Sequence, residues 1–197
     1  MSSHKTVSNL NVLTLYQTLE DRENHIDVEE HGPFICKWEN TWLGDGYYFW
    51  EEFYHLAEWW GTHRYPSGYI ICQAQCDHTE KLFDLVGNMK HIASFKSIMQ
   101  EMKRQGRVNN TTTVSRVIRF MQAKIEAFNY EAIRVHGIGS LSAHSKQYVQ
   151  RLIFESTRTA YLDLQPAVQL CLFKKNSLNL REFRVIYPDH YREDYVF

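Results

Sequence analysis

Apolar residues recur along the chain with two different periods. Alternating or continuous apolar runs rich in β-branched and aromatic residues predict strands at Asn11–Leu19 (NVLTLYQTL), with Val12, Leu15 and Tyr16 as packing positions, at Tyr69–Cys76 (YIICQAQC) and at Lys81–Val86 (KLFDLV). The same reasoning predicts strands at Tyr130–Val135 (YEAIRV), Ala167–Phe173 (AVQLCLF) and Phe183–Tyr187 (FRVIY). A 3.6-residue period predicts three helices. The first spans Glu51–Trp60, where Phe53, Leu56, Ala57 and Trp60 share one face and Gly61 is the expected stop. The second spans Ile92–Arg104, with Ile92, Phe95, Ile98, Met99 and Met102 inward and Gly106 at its end. The third spans Val114–Phe128, with Val114, Val117, Ile118, Met121 and Ile125 inward and Thr113 as its N-cap.

The connecting stretches are less definite. Phe34–Trp38 reads as a short strand and Glu20–His31 as a loop or short helix. Gly137–Ser145 is loop-like, and Tyr148–Thr157 fits helix or strand equally well. Pro188–Phe197 is a tail or a segment that packs back. Strands toward both ends with helices between them predict an α+β domain, expected to span residues 10–190.

At 197 residues the chain is long enough for one core, and its basic and acidic residues, 22 and 23, nearly cancel. That balance neither requires nor excludes a nucleic-acid substrate. Cys36, Cys72, Cys76 and Cys171 make no CxxC pair, so they read as small buried hydrophobes in a reducing compartment. Cys72 and Cys76 fall on the same face of their strand. The polar start (Met1–Thr6) and the lack of a long apolar run lead to an expected cytoplasmic location without membrane association. His55 and His63 lack partners at metal-ligand spacing, so no metal site is expected. His136 and His144 lie in or beside a loop-like stretch and are candidates for gripping a substrate.

The most informative segment is Trp42-Leu43-Gly44-Asp45-Gly46-Tyr47-Tyr48-Phe49-Trp50. Two glycines, suited to unusual torsions or close approach, open onto four aromatics. No P-loop is present, and Gly44-Asp45-Gly46 leads into a strand without a third glycine, which excludes a Rossmann fingerprint. The segment resembles the glycine-x-glycine, hydrophobic, tyrosine, aromatic signature of ADP-ribosyltransferases of the H-Y-E branch, which includes diphtheria-toxin-like enzymes and poly(ADP-ribose) polymerases. Leu82-Phe83-Asp84-Leu85, Tyr130-Glu131-Ala132-Ile133 and Val168-Gln169-Leu170-Cys171-Leu172-Phe173 follow in the order of that family's later elements. Leu15-Tyr16-Gln17-Thr18-Leu19 stands at its first motif, with Gln17 in place of histidine and Thr18 in place of glycine.

The resemblance implies split antiparallel β-sheets with flanking helices, and NAD as co-substrate. It assigns catalysis to Tyr48, which would stack on nicotinamide, and to Gln169, which stands where the family has a ribose-binding glutamate. It assigns NAD binding to Gln17, Thr18, Gly46, Tyr47 and Tyr48. The implied activity is mono-ADP-ribosylation of a macromolecular acceptor, protein or nucleic acid, by a toxin or defence factor, with an antitoxin as one conceivable partner. Because Gln169 carries no charge, Glu155 and Glu131 are candidates to supply the missing carboxylate. The alternative implied by the two glutamines is a nucleotide-binding module of the same fold with weak or no turnover.

Overall fold

The computed structural model describes residues 11–136 and 151–192. The chain begins with β1 (Asn11–Glu20), α1 (His25–His31), β2 (Tyr47–Glu51), α2 (Tyr54–Arg64) and β3 (Tyr69–His78). It continues through β4 (Leu82–Asp84), α3 (Met89–Arg104), α4 (Val114–Lys124) and β5 (Ala132–His136). After these come β6 (Arg151–Ile153), β7 (Tyr161–Asp163), β8 (Val168–Leu172) and β9 (Arg181–Tyr187). Seven strands form one sheet in the order β4-β5-β8-β2-β1-β3-β9, while β6 and β7 form a separate hairpin. Every pairing in the large sheet is antiparallel except β4 with β5. The result is a mixed α+β fold, a mostly antiparallel sheet flanked by helices.

Strand alternation sends side chains to two cores. On one face Leu15, Phe49, Ala74, Leu170 and Leu172 pack together with Leu82, Ala132 and Leu178. On the other, Trp50 and Ile71 meet Leu56 and Ala57 of α2. Farther along that second face, Ile133 and Cys171 meet Met102 of α3 and Val117, Ile118 and Met121 of α4. β8 is buried on both faces, which explains its near-continuous apolar sequence. Each fully buried Leu, Ile or Phe contributes about 1.5–3 kcal/mol by removal from water. Cys72, Cys76 and Cys171 are core residues as expected, and Cys36 is half-buried.

A charged knot sits on the first of these faces. The Arg134 guanidinium donates from Nε and Nη2 to the two Glu51 carboxylate oxygens at 2.6 and 2.7 Å, and from Nη1 to Asp84 Oδ1 at 3.2 Å. Asp84 also accepts from the backbone N–H groups of Val86 and Gly87. One cation thereby ties β2, β4 and β5. Near the C-terminus, Tyr191 stacks on His25 at 4.1 Å and donates to the Asp21 carboxylate, so this end packs back onto the start of the fold.

Several expectations change. Glu51 belongs to β2, not to the following helix, because its carboxylate is claimed by Arg134. Gly61 does not stop α2 but lies buried within it, where a Cβ would sit 2.4 Å from the Tyr69 ring; the missing side chain serves helix–strand contact. Ile92, Met99 and Val114 are exposed, since α3 and α4 pack at the margin of the sheet and bury only part of their stripes. Phe34–Trp38 forms only a single bridge, Cys36 to Gly46. Tyr148–Thr157 contributes β6, and β7 is an additional strand. The Gly137–Ser145 loop, including His144, lies outside the described residues. No described helix is long and apolar enough to cross a membrane.

Candidate functional site

The sheet is weakest at its middle. β1 pairs with β3 along its full length, from Asn11↔His78 to Glu20↔Tyr69. With β2 it shares only Leu15↔Glu51 and Tyr16↔Trp50. Beyond Tyr16 the two strands part, and the strap of residues 33–46 closes over the gap. The resulting cleft has a volume of about 1370 Å³. Gln17, Tyr48, Trp50 and Gln169 line its inner part, while Trp38, Trp42, Trp60 and Arg64 line its rim.

β2 and β8 bring the two residues assigned to catalysis together. Register pairs Tyr48 with Cys171 and Trp50 with Gln169. Tyr48 and Gln169 are therefore diagonal neighbours on one face, at the spacing of roughly 7–8 Å expected for such positions. The Tyr48 hydroxyl accepts from the Leu43 N–H at 2.9 Å and donates to the Gly44 carbonyl at 2.7 Å, which holds the ring in place. Burial raises its pKa, so the phenol stays neutral. Gln169 is only 6% exposed, and its buried Oε1 has no hydrogen-bond partner. Leaving such a group unpaired costs about 1–3 kcal/mol, which marks it as an acceptor available to a ligand donor.

The residues assigned to nucleotide binding have other engagements. The Gln17 amide donates to the Phe34 carbonyl and accepts from the Phe34 N–H, both at 3.0 Å. Its Nε2 also reaches the Tyr48 carbonyl at 3.4 Å. The Thr18 hydroxyl donates to the Ala57 carbonyl at 2.9 Å, fastening β1 to α2. Tyr47 packs on the opposite core, beside Leu15 and Leu172. A Cβ on Gly46 would lie 2.4 Å from Cys171 Sγ and 2.7 Å from the Leu172 carbonyl oxygen, so its close approach is to β8. Gly44 does adopt a positive φ, 93°.

Neither candidate carboxylate reaches the cleft. Glu131 lies toward the far end of β5 from Val135, the partner of Gln169, roughly 13 Å away by strand rise, and accepts from the Leu178 N–H. Glu155 is exposed and paired with Arg158. Glu51 is adjacent to Trp50, but its carboxylate is held by Arg134 on the other face. His136 ends β5, exposed, opposite Val168. His55 Nε2 is buried without a partner, and no metal-binding group of His, Cys, Asp and Glu occurs among the described residues.

The rim was not foreseen. All five tryptophans fall between Trp38 and Trp60, and this density was the available signal. Arg64 lies over the Trp38 ring at 4.3 Å, and Trp42 meets Trp60 edge to face at 6.0 Å. Such a lining suits a planar ligand that carries negative charge. No family model, no curated protein and no solved structure matches this chain.

Proposed function

We propose that the chain binds NAD in this cleft and transfers ADP-ribose to a macromolecular acceptor, as a mono-ADP-ribosyltransferase with an ADP-ribosyltransferase-like fold. One observation carries the reading. Tyr48 and Gln169, far apart in sequence, share one sheet face and one cleft, and the Gln169 Oε1 lacks a partner. The two-rung junction of β1 and β2 is the feature expected at the centre of a split sheet.

In the proposed reaction the bond between ribose and nicotinamide breaks, and its electron pair leaves with nicotinamide. A nucleophile on the acceptor supplies the pair for the new bond to ribose and loses a proton. Tyr48 offers the leaving ring a half-buried aromatic neighbour, and the Gln169 amide accepts a hydrogen bond from a ribose hydroxyl. A neutral amide orients the ribose but stabilises its developing positive charge far less than a carboxylate.

A second reading, binding without turnover, is favoured by that neutral Gln169 and by the engagement of Gln17 with Phe34. Labelled NAD incubated with the protein and a cell lysate separates the two. Label passing to an acceptor, and lost in folded Gln169→Ala and Tyr48→Ala variants, supports the transferase. Binding by calorimetry without transfer supports the module. Absence of both overturns the NAD reading.

A further inference from the structure

The rim of the cleft has a composition of its own. Arg64, at the C-terminal end of α2, is exposed, and its guanidinium carbon lies over Trp38, a residue of the strap, at 4.3 Å from the ring centroid. Among the described residues it has no carboxylate partner. The other arginine lining the cleft, Arg22, is neutralised by Glu20 at 2.7 Å. A guanidinium with no carboxylate partner keeps N–H donors available in a planar fork that matches phosphate oxygens. Next to it, Trp42 and Trp60 stand edge to face, and Trp42 is 39% exposed although it is one of the largest apolar side chains in the protein. Trp60 is braced in turn by Trp59, which meets Trp50 at the inner end of the cleft. A braced, accessible indole beside an uncommitted guanidinium recognises a planar base attached to a phosphate.

We infer that the rim formed by Trp38, Trp42, Trp60 and Arg64 is a nucleoside-diphosphate subsite, in which Arg64 binds the phosphates and Trp42 stacks on the base. The inference rests on the reading of the cleft as a dinucleotide site and gives that site a direction. The diphosphate half lies at the rim, and the nicotinamide half lies inside, at Tyr48 and Gln169. It also supplies what Gln17 and Thr18, tied to Phe34 and Ala57, leave unprovided.

ADP, adenosine and inorganic pyrophosphate are titrated separately into the full chain, with binding followed by calorimetry and by tryptophan fluorescence. NAD is titrated in parallel. Arg64→Gln and Trp42→Ala variants, checked for folding by circular dichroism, are compared with Gln169→Ala. The expected result is that ADP binds and changes tryptophan fluorescence. Loss of the charge-assisted phosphate contact in Arg64→Gln weakens ADP by about tenfold or more, as does Trp42→Ala, whereas Gln169→Ala leaves ADP affinity unchanged. ADP binding of this kind without tighter binding of NAD keeps the rim subsite and removes the nicotinamide half. NAD binding without ADP binding, or ADP binding indifferent to Arg64, overturns the subsite while leaving the reading of the cleft standing. Pyrophosphate binding as well as ADP, with Trp42→Ala silent, also overturns it, because the base then contributes nothing.

Discussion

Gln17 and Phe34 exchange two hydrogen bonds, side-chain amide to backbone, in the manner of a rung between strands. The amide stands in for a neighbouring strand at the point where β2 leaves β1, and it pins the strap across the cleft.

Gln17→Leu removes both bonds and leaves the Phe34 N–H and carbonyl without their partners. The expected cost is about 1–3 kcal/mol in chemical denaturation, with faster hydrogen exchange at Phe34. Unchanged stability together with a large loss of NAD affinity would instead make Gln17 a ligand group.

Arg134→Leu strands the Glu51 and Asp84 carboxylates, both nearly buried, without their cation. Breaking one side of a buried ion pair costs about 3–5 kcal/mol, to be read from the shift in urea midpoint. A loss within experimental error would show that the knot contributes nothing net.

The same knot makes stability depend on acid. Burial by itself raises the Asp84 carboxyl pKa, but the N–H groups of Gly87 and Val86 and the Arg134 charge more than offset this and hold it below its ordinary value. Its contribution is therefore fully present above the unfolded carboxylate pKa, about 3.9, and is lost as pH falls through the lower folded value. Unfolding free energy measured from pH 6 downward should fall below about pH 4, and Asp84→Asn should flatten that slope.

Gly46→Ala drives a methyl group into Cys171 Sγ and the Leu172 carbonyl oxygen. Both belong to a central strand with little freedom to move, so destabilisation of about 1–3 kcal/mol is expected by thermal or chemical melting. A neutral outcome would mean that β2 and β8 separate easily.

Gln169→Glu places a carboxylate where a buried amide oxygen lacks a partner. Under the transferase reading, NAD turnover rises by on the order of 10², while the shorter, apolar Gln169→Leu abolishes it. A Gln169→Glu protein that binds NAD and still shows no turnover would favour the binding module.

Much of the fold could be read locally. The strands β1, β3, β8 and β9 and the helices α3 and α4 follow from periods of two and 3.6 residues, and Thr113 caps α4 by accepting from the Arg116 N–H as expected. Periodicity did not tell a stripe that meets the sheet from one that meets solvent, hence the exposed Ile92, Met99 and Val114. The resemblance selected Tyr48 and Gln169, which the fold brings together, but it could not show that Gln17 and Thr18 had their polar groups committed to the protein itself.

The sequence by itself determined the kind of elements, their order and the apolar residues available to the cores, because these depend on neighbours within a few positions. Only tertiary structure decided that Glu51 ends a strand, that Gly61 sits inside a helix, and that Arg64 with Trp38, Trp42, Trp50 and Trp60 lines a cleft. Each of these is set by a partner distant along the chain: Arg134 for Glu51, Tyr69 for Gly61, Trp38 for Arg64. A contact of that kind depends on how strands pair across the sheet, and no local pattern encodes it.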